Sequence, residues 1–375
     1  MAARRQLVVG VIGSGWIVRA HVHALHTLNH LSPLDARIRL KWIYGRRAEK
    51  MATLAEELDI ERSTTDWQEI VDDPEVNVIA NAGAHPLHAP VTLAAIAAGK
   101  HVLCEKPLAV TTQDAREMER TAAGSRVLTA CGFNYRFVPA VRLLHELLAN
   151  GRLGEIRHYR AVYLQDWLSN NSDFPGGTGG SSVRDFSHLF DMLRHLVGEP
   201  LSIVGSATSI LSDADDAFLA GLVMPGGATA SLEASSCATG WKGRHRIEIN
   251  GTEGSAWWDM EEFNKLHVMF VIDQREGVGG FRDVLVTERS HPFMADWWEA
   301  GHVIGWESTF IGQWRAFLRS VLEDRRSDLL QATFHDGVRA NELGDALIES
   351  SRTGRRLHLS NVASPVAAET SGRLQ

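Results

Sequence analysis

The chain has 375 residues, of which 44% are hydrophobic and 22% charged, with a formal net charge of −8. At roughly 100–200 residues per domain this length predicts two or three domains, and the average composition excludes a mainly disordered chain. Scattered Lys and Arg under a negative balance argue against a nucleic-acid partner, no apolar run reaches the roughly 18 residues that span a bilayer, and three cysteines (Cys104, Cys131, Cys237) suit a reducing cytoplasm rather than a disulfide framework.

Residues 7–12 are apolar and follow Arg4 and Arg5. The run stops at Gly13-Ser14-Gly15, too early for a secretory signal, and suits a buried first strand. Short, largely apolar and often β-branched runs at 7–13, 40–44, 76–80, 101–104 and 127–131 each read as a strand covered on both faces. Amphipathic stretches at 47–58 and 88–98 lie between them, the second stopped by Gly99. Strand and helix in alternation predict a doubly wound parallel sheet, a Rossmann domain over residues 1–133.

Beyond residue 155 the pattern changes. Runs at 218–224 and 228–234 flank Pro225-Gly226-Gly227, and runs at 244–249 and 255–259 flank Asn250-Gly251-Thr252-Glu253-Gly254, so each pair predicts a hairpin. Further strands are predicted through 203–210, 267–272 and 283–287. Strands without intervening helices predict a large, mostly antiparallel open sheet flanked by helices, an α+β domain over 134–363. Trp306, Phe310, Trp314, Phe317 and Val321 mark one core-facing side of a late helix. The small, polar residues 364–375 read as a flexible tail.

Gly13-Ser14-Gly15 stands between the first strand and a predicted helix opening at Trp16 and Ile17. A dinucleotide's pyrophosphate meets backbone N–H groups and the positive helix end at such a place. Gly13 permits the tight turn, Gly15 lets the backbone approach the phosphates without a Cβ, and Val18 holds the third fingerprint position. The second strand ends Tyr44-Gly45-Arg46-Arg47, with Gly45 where NAD-specific sites carry Asp or Glu. Losing that carboxylate removes repulsion against a 2′-phosphate, and Arg46 or Arg47 could pair with it. The expected cofactor is NAD(P), leaning to NADP. The competing readings leave both arginines on a solvated helix start, or lay one over adenine in an NAD enzyme.

The run Gly99-Lys100-His101-Val102-Leu103-Cys104-Glu105-Lys106-Pro107, preceded by His88, closely resembles the family of glucose–fructose oxidoreductase and inositol dehydrogenase (Gfo/Idh/MocA). Gly132-Phe133-Asn134-Tyr135-Arg136, residues 151–156 and Gly301-His302-Val303-Ile304-Gly305-Trp306 extend the resemblance over nearly the whole chain. It implies an oxidoreductase acting on a sugar, polyol or cyclitol. Glu105, Lys106, His85 and His88 would then serve the cofactor, and Lys106, Tyr135, Arg136, Gln165 and His302 the substrate. It also implies a homo-oligomer (dimer or tetramer) formed through the open sheet. The residues agree with this reading. Lys106 lies just past a strand end, where open α/β sheets bind ligands, and Pro107 biases it to extended backbone.

Arg184-Asp185-Phe186-Ser187-His188-Leu189-Phe190-Asp191 begins a predicted helix that buries Phe186, Leu189, Phe190, Leu193 and Leu196. The family's Asp-x-Gly-x-His-x-x-Asp is matched at His188 and Asp191 and departed from at Arg184 and Phe186. Asp185, offset by about 100° around a helix, approaches His188 only if the opening turn differs; otherwise Arg184 faces the ligand and implies an anionic or unusual substrate. The expected catalytic set is Lys106, His188 and Asp185, with His188 as general base and Lys106 on the developing oxyanion. Gly83-Ala84-His85 replaces the family's Thr-Pro-Asn, so His85 either takes that Asn's hydrogen-bonding role or stands exposed. Zinc-ligand spacing and a nucleophile elbow are both missing, so no metal is expected. Two alternatives remain: glycoside cleavage through transient oxidation on a retained dinucleotide, and a non-catalytic dinucleotide sensor.

Overall fold

The computed structural model describes residues 5–31, 34–169, 181–294, 297–326, 328 and 331–359. The glycine-rich stretch 176–180 and the expected tail lie outside them. Strands β1 (Arg5–Ile12), β2 (Ala36–Tyr44), β3 (Arg62–Thr64), β4 (Val78–Asn81), β5 (His101–Cys104) and β6 (Thr129–Cys131) form one sheet in the order β3-β2-β1-β4-β5-β6. Every neighbouring pair is parallel. Helices α1 (Trp16–Thr27), α2 (Ala48–Glu57), α3 (Trp67–Asp72), α4 (His85–Ala97) and α5 (Thr112–Ala123) alternate with the strands, and β4 is buried along its length, as a strand covered on both faces must be. Strand order reverses between β1 and β4, which opens a ligand crevice at their C-terminal ends. Edge strand β3, three residues long and without a buried position, was not among the predicted strands.

After α6 (Pro139–Ala149), α7 (Ser182–Asp185) and α8 (His188–Val197) come into place around a second sheet. Its strands are β7 (Ile156–Leu164), β8 (Ser202–Thr208), β9 (Ala217–Val223), β10 (Thr229–Ser235), β11 (Arg244–Gly251), β12 (Gly254–Asp259), β13 (Lys265–Phe270), β14 (Arg282–Leu285) and β15 (Leu357–His358). They run in the order β14-β13-β12-β11-β7-β10-β9-β8-β15. The β7–β10 pair is parallel and the rest are antiparallel. Both predicted hairpins are present, as β9–β10 and β11–β12. The strand expected over 267–272 stops at Phe270, where the chain turns into the short helix α9 (Val271–Arg275).

The last two helices, α10 (Ser308–Glu323) and α11 (Phe334–Thr353), return to the first sheet. Phe310, Trp314, Phe317 and Val321 of α10 share one core with Val9, Val22 and Ile38. The apolar stripe is core packing, and its partner is the Rossmann layer. Helix α11 is tied to α5 through Thr112–Asp345, Arg116–Glu342 at 2.7 Å and His335–Glu119 at 2.7 Å. Trp306 packs against both hydrophobic cores, at the seam between the two sheets.

Candidate active site

The cradle at the end of β1 fits a dinucleotide. Gly13 has φ +120°, and a Cβ there would meet the Ala82 carbonyl oxygen at 2.3 Å. Only glycine therefore lets the turn lie this close to the end of β4. A Cβ at Gly15 would meet nothing within 4 Å, so the ledge before α1 is open where a pyrophosphate would take N–H groups of the first helical turn. Trp16 is 40% exposed and leans on Trp306 at 5.6 Å, while Ile17 packs into the core. Gly45 is close-packed, with a built Cβ 2.3 Å from Met51 Sδ. Arg46 and Arg47 are exposed, and neither makes an ion pair among the described residues.

The segment after β5 places Lys106. Glu105 is buried, and its carboxylate turns inward rather than to the crevice: it accepts from the Lys106 backbone N–H at 3.1 Å and lies 3.0 Å from His21 Nε2. Burial alone would raise the Glu105 pKa, but the His21 hydrogen bond and the nearby positive charge hold it below the ordinary value. Lys106 precedes a cis peptide bond to Pro107. His88 is fully buried, with Nδ1 2.7 Å from the Pro107 carbonyl and Nε2 3.2 Å from that of Gly83. The geometry thus makes it a brace between two loops and removes it from direct contact with a cofactor. His85 opens α4 and is half-buried, and its ring meets His88 edge-on at 5.6 Å. Burial, then His88 and Lys106, lower its pKa to about 4.

Across the seam, the predicted continuous helix from Arg184 to Asp191 is broken. It stops at Asp185 and resumes at His188, with Phe186 at φ −93°, ψ 24°. Asp215 pins the opening turn, its side chain accepting from the Val183 N–H at 2.8 Å. The break separates Arg184 and Asp185 from the helix that carries His188. Arg184 reaches to the Asn341 carbonyl (2.8 Å) and to Asp345 on α11, so its guanidinium is committed to that helix. Asp185 meets Lys106 through its backbone: its carbonyl accepts from Lys106 Nζ at 2.8 Å. Its buried carboxyl Oδ2 has no hydrogen-bond partner, and burial raises its pKa against the pull of Lys106. No hydrogen bond joins Asp185 to His188 among the described residues.

His188 is 5% exposed, and its Nδ1 meets no partner among the described residues. Tyr135 presents its edge to the imidazole at 4.6 Å and Phe133 at 5.7 Å. Behind them the Tyr135 and Tyr163 hydroxyls pair at 2.9 Å, and His245 stacks on Tyr163 at 4.7 Å. Burial, then the charge of Lys106 and the proximity of His245, drive the His188 pKa well below its ordinary value. A neutral imidazole beside a lysine can take a proton from a hydroxyl while the ammonium holds the oxygen.

Three further expected substrate residues hold protein partners of their own. Arg136 is buried in ion pairs with Asp191 at 2.5 Å and Asp336 at 3.2 Å, so it is structural. Gln165 directs its amide to the Lys242 carbonyl at 3.4 Å. His302 is exposed, with Nδ1 2.8 Å from the Glu299 carbonyl; from the same stretch Trp306 reaches the seam, its indole N–H facing the Tyr135 hydroxyl without closing a hydrogen bond. His21, Tyr163 and His245 were missed by sequence reasoning. Tyr163 and His245 read as ordinary inward strand positions, and the local sequence around His21 does not reveal its partner. Among the described residues no group of His, Cys, Asp and Glu could hold a metal ion, and no helix is long and apolar enough to cross a membrane.

Comparison with known proteins gives a consistent picture. Residues 7–133 match the oxidoreductase family with an NAD-binding Rossmann fold, and residues 141–257 match the GFO/IDH/MocA C-terminal domain. The chain is 32% identical over 382 residues to levoglucosan dehydrogenase of Pseudarthrobacter phenanthrenivorans, which covers 92% of this chain and 96% of that protein. It is 28% identical over 281 residues to myo-inositol 2-dehydrogenase of Thermotoga maritima, covering 73% of this chain and 80% of that one. A solved structure of levoglucosan dehydrogenase in complex with NADH and levoglucosan has a TM-score of 0.89 at 31% identity, covering 96% of this chain and 100% of that one.

Proposed function

The chain belongs to the Gfo/Idh/MocA oxidoreductase family, and on that premise we propose that it exchanges a hydride between nicotinamide and a ring carbon of a sugar, polyol or cyclitol. The observation that carries the reading is the Lys106 Nζ contact to the Asp185 carbonyl at 2.8 Å, which brings a lysine of the dinucleotide crevice to the segment holding a buried, neutral His188. The relatives' names, a levoglucosan dehydrogenase and a myo-inositol dehydrogenase, support net oxidation over the glycoside-cleaving and sensor readings.

The nicotinamide ring supplies hydride exchange when bound. Gly13, Gly15 and the first turn of α1 hold the pyrophosphate. Lys106 keeps one N–H on the Asp185 carbonyl and offers its others to the substrate oxygen. His188 takes the hydroxyl proton in oxidation and returns it in reduction. For the cofactor, two exposed guanidiniums after Gly45 support a preference for NADP, although the related dehydrogenase was solved with NADH. Changing Arg46 and Arg47 together to Ala then lowers the NADP-over-NAD ratio by at least about tenfold, or about 1.4 kcal/mol. A parent enzyme that already favours NAD by that factor ends the NADP reading. The open nine-stranded sheet, by resemblance to the family, supports a homo-oligomer, which light scattering tests.

The test of the activity is a panel of anhydro-sugars, pyranoses and cyclitols with either dinucleotide, followed by absorbance of the reduced nicotinamide. Turnover is expected in the parent and lost in the Lys106→Met, His188→Ala double variant. Normal turnover in that variant ends the reading.

A further inference from the structure

Lys106 is held in place by a chain of hydrogen bonds that begins in the late helix α10. Trp314 is fully buried, and its indole N–H donates to His21 Nδ1 at 2.9 Å. An indole nitrogen can only donate, so His21 Nδ1 accepts and carries no proton. The neutral ring then has its proton on Nε2, which lies 3.0 Å from the Glu105 carboxylate and donates to it. Glu105 in turn accepts from the Lys106 backbone N–H at 3.1 Å. Gly132 leaves room for the carboxylate, since a Cβ there would come within 2.6 Å of Glu105 Oε1.

We propose that His21, locked by Trp314 as its Nε2–H tautomer, is a positioning residue for the reaction: it keeps Glu105 an anion and so fixes the backbone from which Lys106 reaches the substrate. The inference rests on the oxidoreductase reading for its catalytic consequence, but not for the lock itself. Glu105 is faced by His21 from α1, by Lys106 beside it, by His85 and His88 from α4, and by Cys104 and Cys131 from β5 and β6. Burial lowers the pKa of His85 and His88 and raises both thiols. The anion therefore depends on the His21 donor and on Lys106. Without that donor, a carboxylate this deeply buried takes up a proton more readily.

The tautomer is read by imidazole ¹⁵N NMR on the full chain with neither dinucleotide nor sugar, the His21 signals being those lost in His21→Gln. The parent should show Nδ1 bare and Nε2 protonated, and Trp314→Phe should shift the Nδ1 signal, which loses its donor, while Nε2 keeps its proton on Glu105. Carboxyl ¹³C NMR should find Glu105 titrating about one pH unit or more higher in His21→Leu, and as in the parent in His21→Gln, whose amide N–H can replace Nε2–H. The acid limb of the kcat profile should move up with it in His21→Leu and be restored in His21→Gln. A protonated Nδ1 in the parent overturns the lock. A Glu105 titration unmoved by His21→Leu, or a kcat loss equal at every pH, overturns the positioning role. If His21→Leu does not fold, the Trp314→Phe and His21→Gln arms still decide: unaltered His21 signals in Trp314→Phe, or a shifted Glu105 in His21→Gln, count against the proposal. Should the parent oxidise no sugar, the oxidoreductase reading fails while both NMR results stand.

Discussion

A histidine that serves as a base must be neutral before the substrate arrives, and at His188 burial secures this ahead of Lys106 and His245. Because its pKa is depressed, the base form persists as pH falls. The acid limb of kcat/KM for oxidation should therefore lie below the ordinary histidine value of about 6.5, and a limb at or above that value would contradict the assignment. His188→Ala should lower kcat by about 10²–10⁴. His245 carries a related prediction for stability. Burial lowers its pKa from 6.5 to about 3 in the folded state, so between those values the unfolded chain binds the extra proton. Stability is then present above the upper value and is lost as pH falls through the window, by about 1.4 kcal/mol per unit. His245→Phe keeps the stack on Tyr163, and urea titrations from neutral pH down to about 4 should show a flatter decline.

The broken helix at Phe186 and Ser187 gives Arg184 and Asp185 separate tasks. Arg184→Ala gives up a pair whose Asp345 partner is 47% exposed. It should cost at most about 1 kcal/mol and leave the sugar KM unchanged; a steep rise in KM would return Arg184 to the substrate. Asp185→Asn should lower kcat and shift its pH profile with cofactor affinity intact, and a silent variant would remove the side chain from the reaction. The break itself was not legible in the sequence. Phe186 is buried, as are Leu189, Phe190, Leu193 and Leu196, so the apolar spacing runs through the kink as it would through a straight helix. The strands of the first sheet were legible because burial on both faces leaves largely apolar runs, and β3, with no buried residue, left no such mark. Lys106 and His188 stood out through motif and position. The role of Arg136 depended on Asp336, far along the chain, which no local pattern reveals.

Arg136 shows how much of the molecule is held from its centre. With Asp191, Asp336, Arg194 and Glu199 it forms a buried ionic chain that joins the turn after β6 to α8 and α11. Against the cost of burial, Asp191 and Asp336 keep the guanidinium protonated. Arg136→Met should destabilise the fold by about 3–5 kcal/mol, because Asp191 is left as an uncompensated buried charge. Denaturant titration measures this, and a loss under about 1 kcal/mol would place the network among exposed pairs.

The return of α10 to the first core also orders events in time. Trp314 and His21 are 293 positions apart, so a ribosome making roughly 5–20 residues per second releases the indole on the order of tens of seconds after the imidazole. Throughout that interval the nascent Rossmann layer has a wet groove where Phe310, Trp314 and Phe317 will lie. A chain halted before α10 is a ready client for chaperones, and the crevice becomes a finished site only when the last helices leave the exit tunnel.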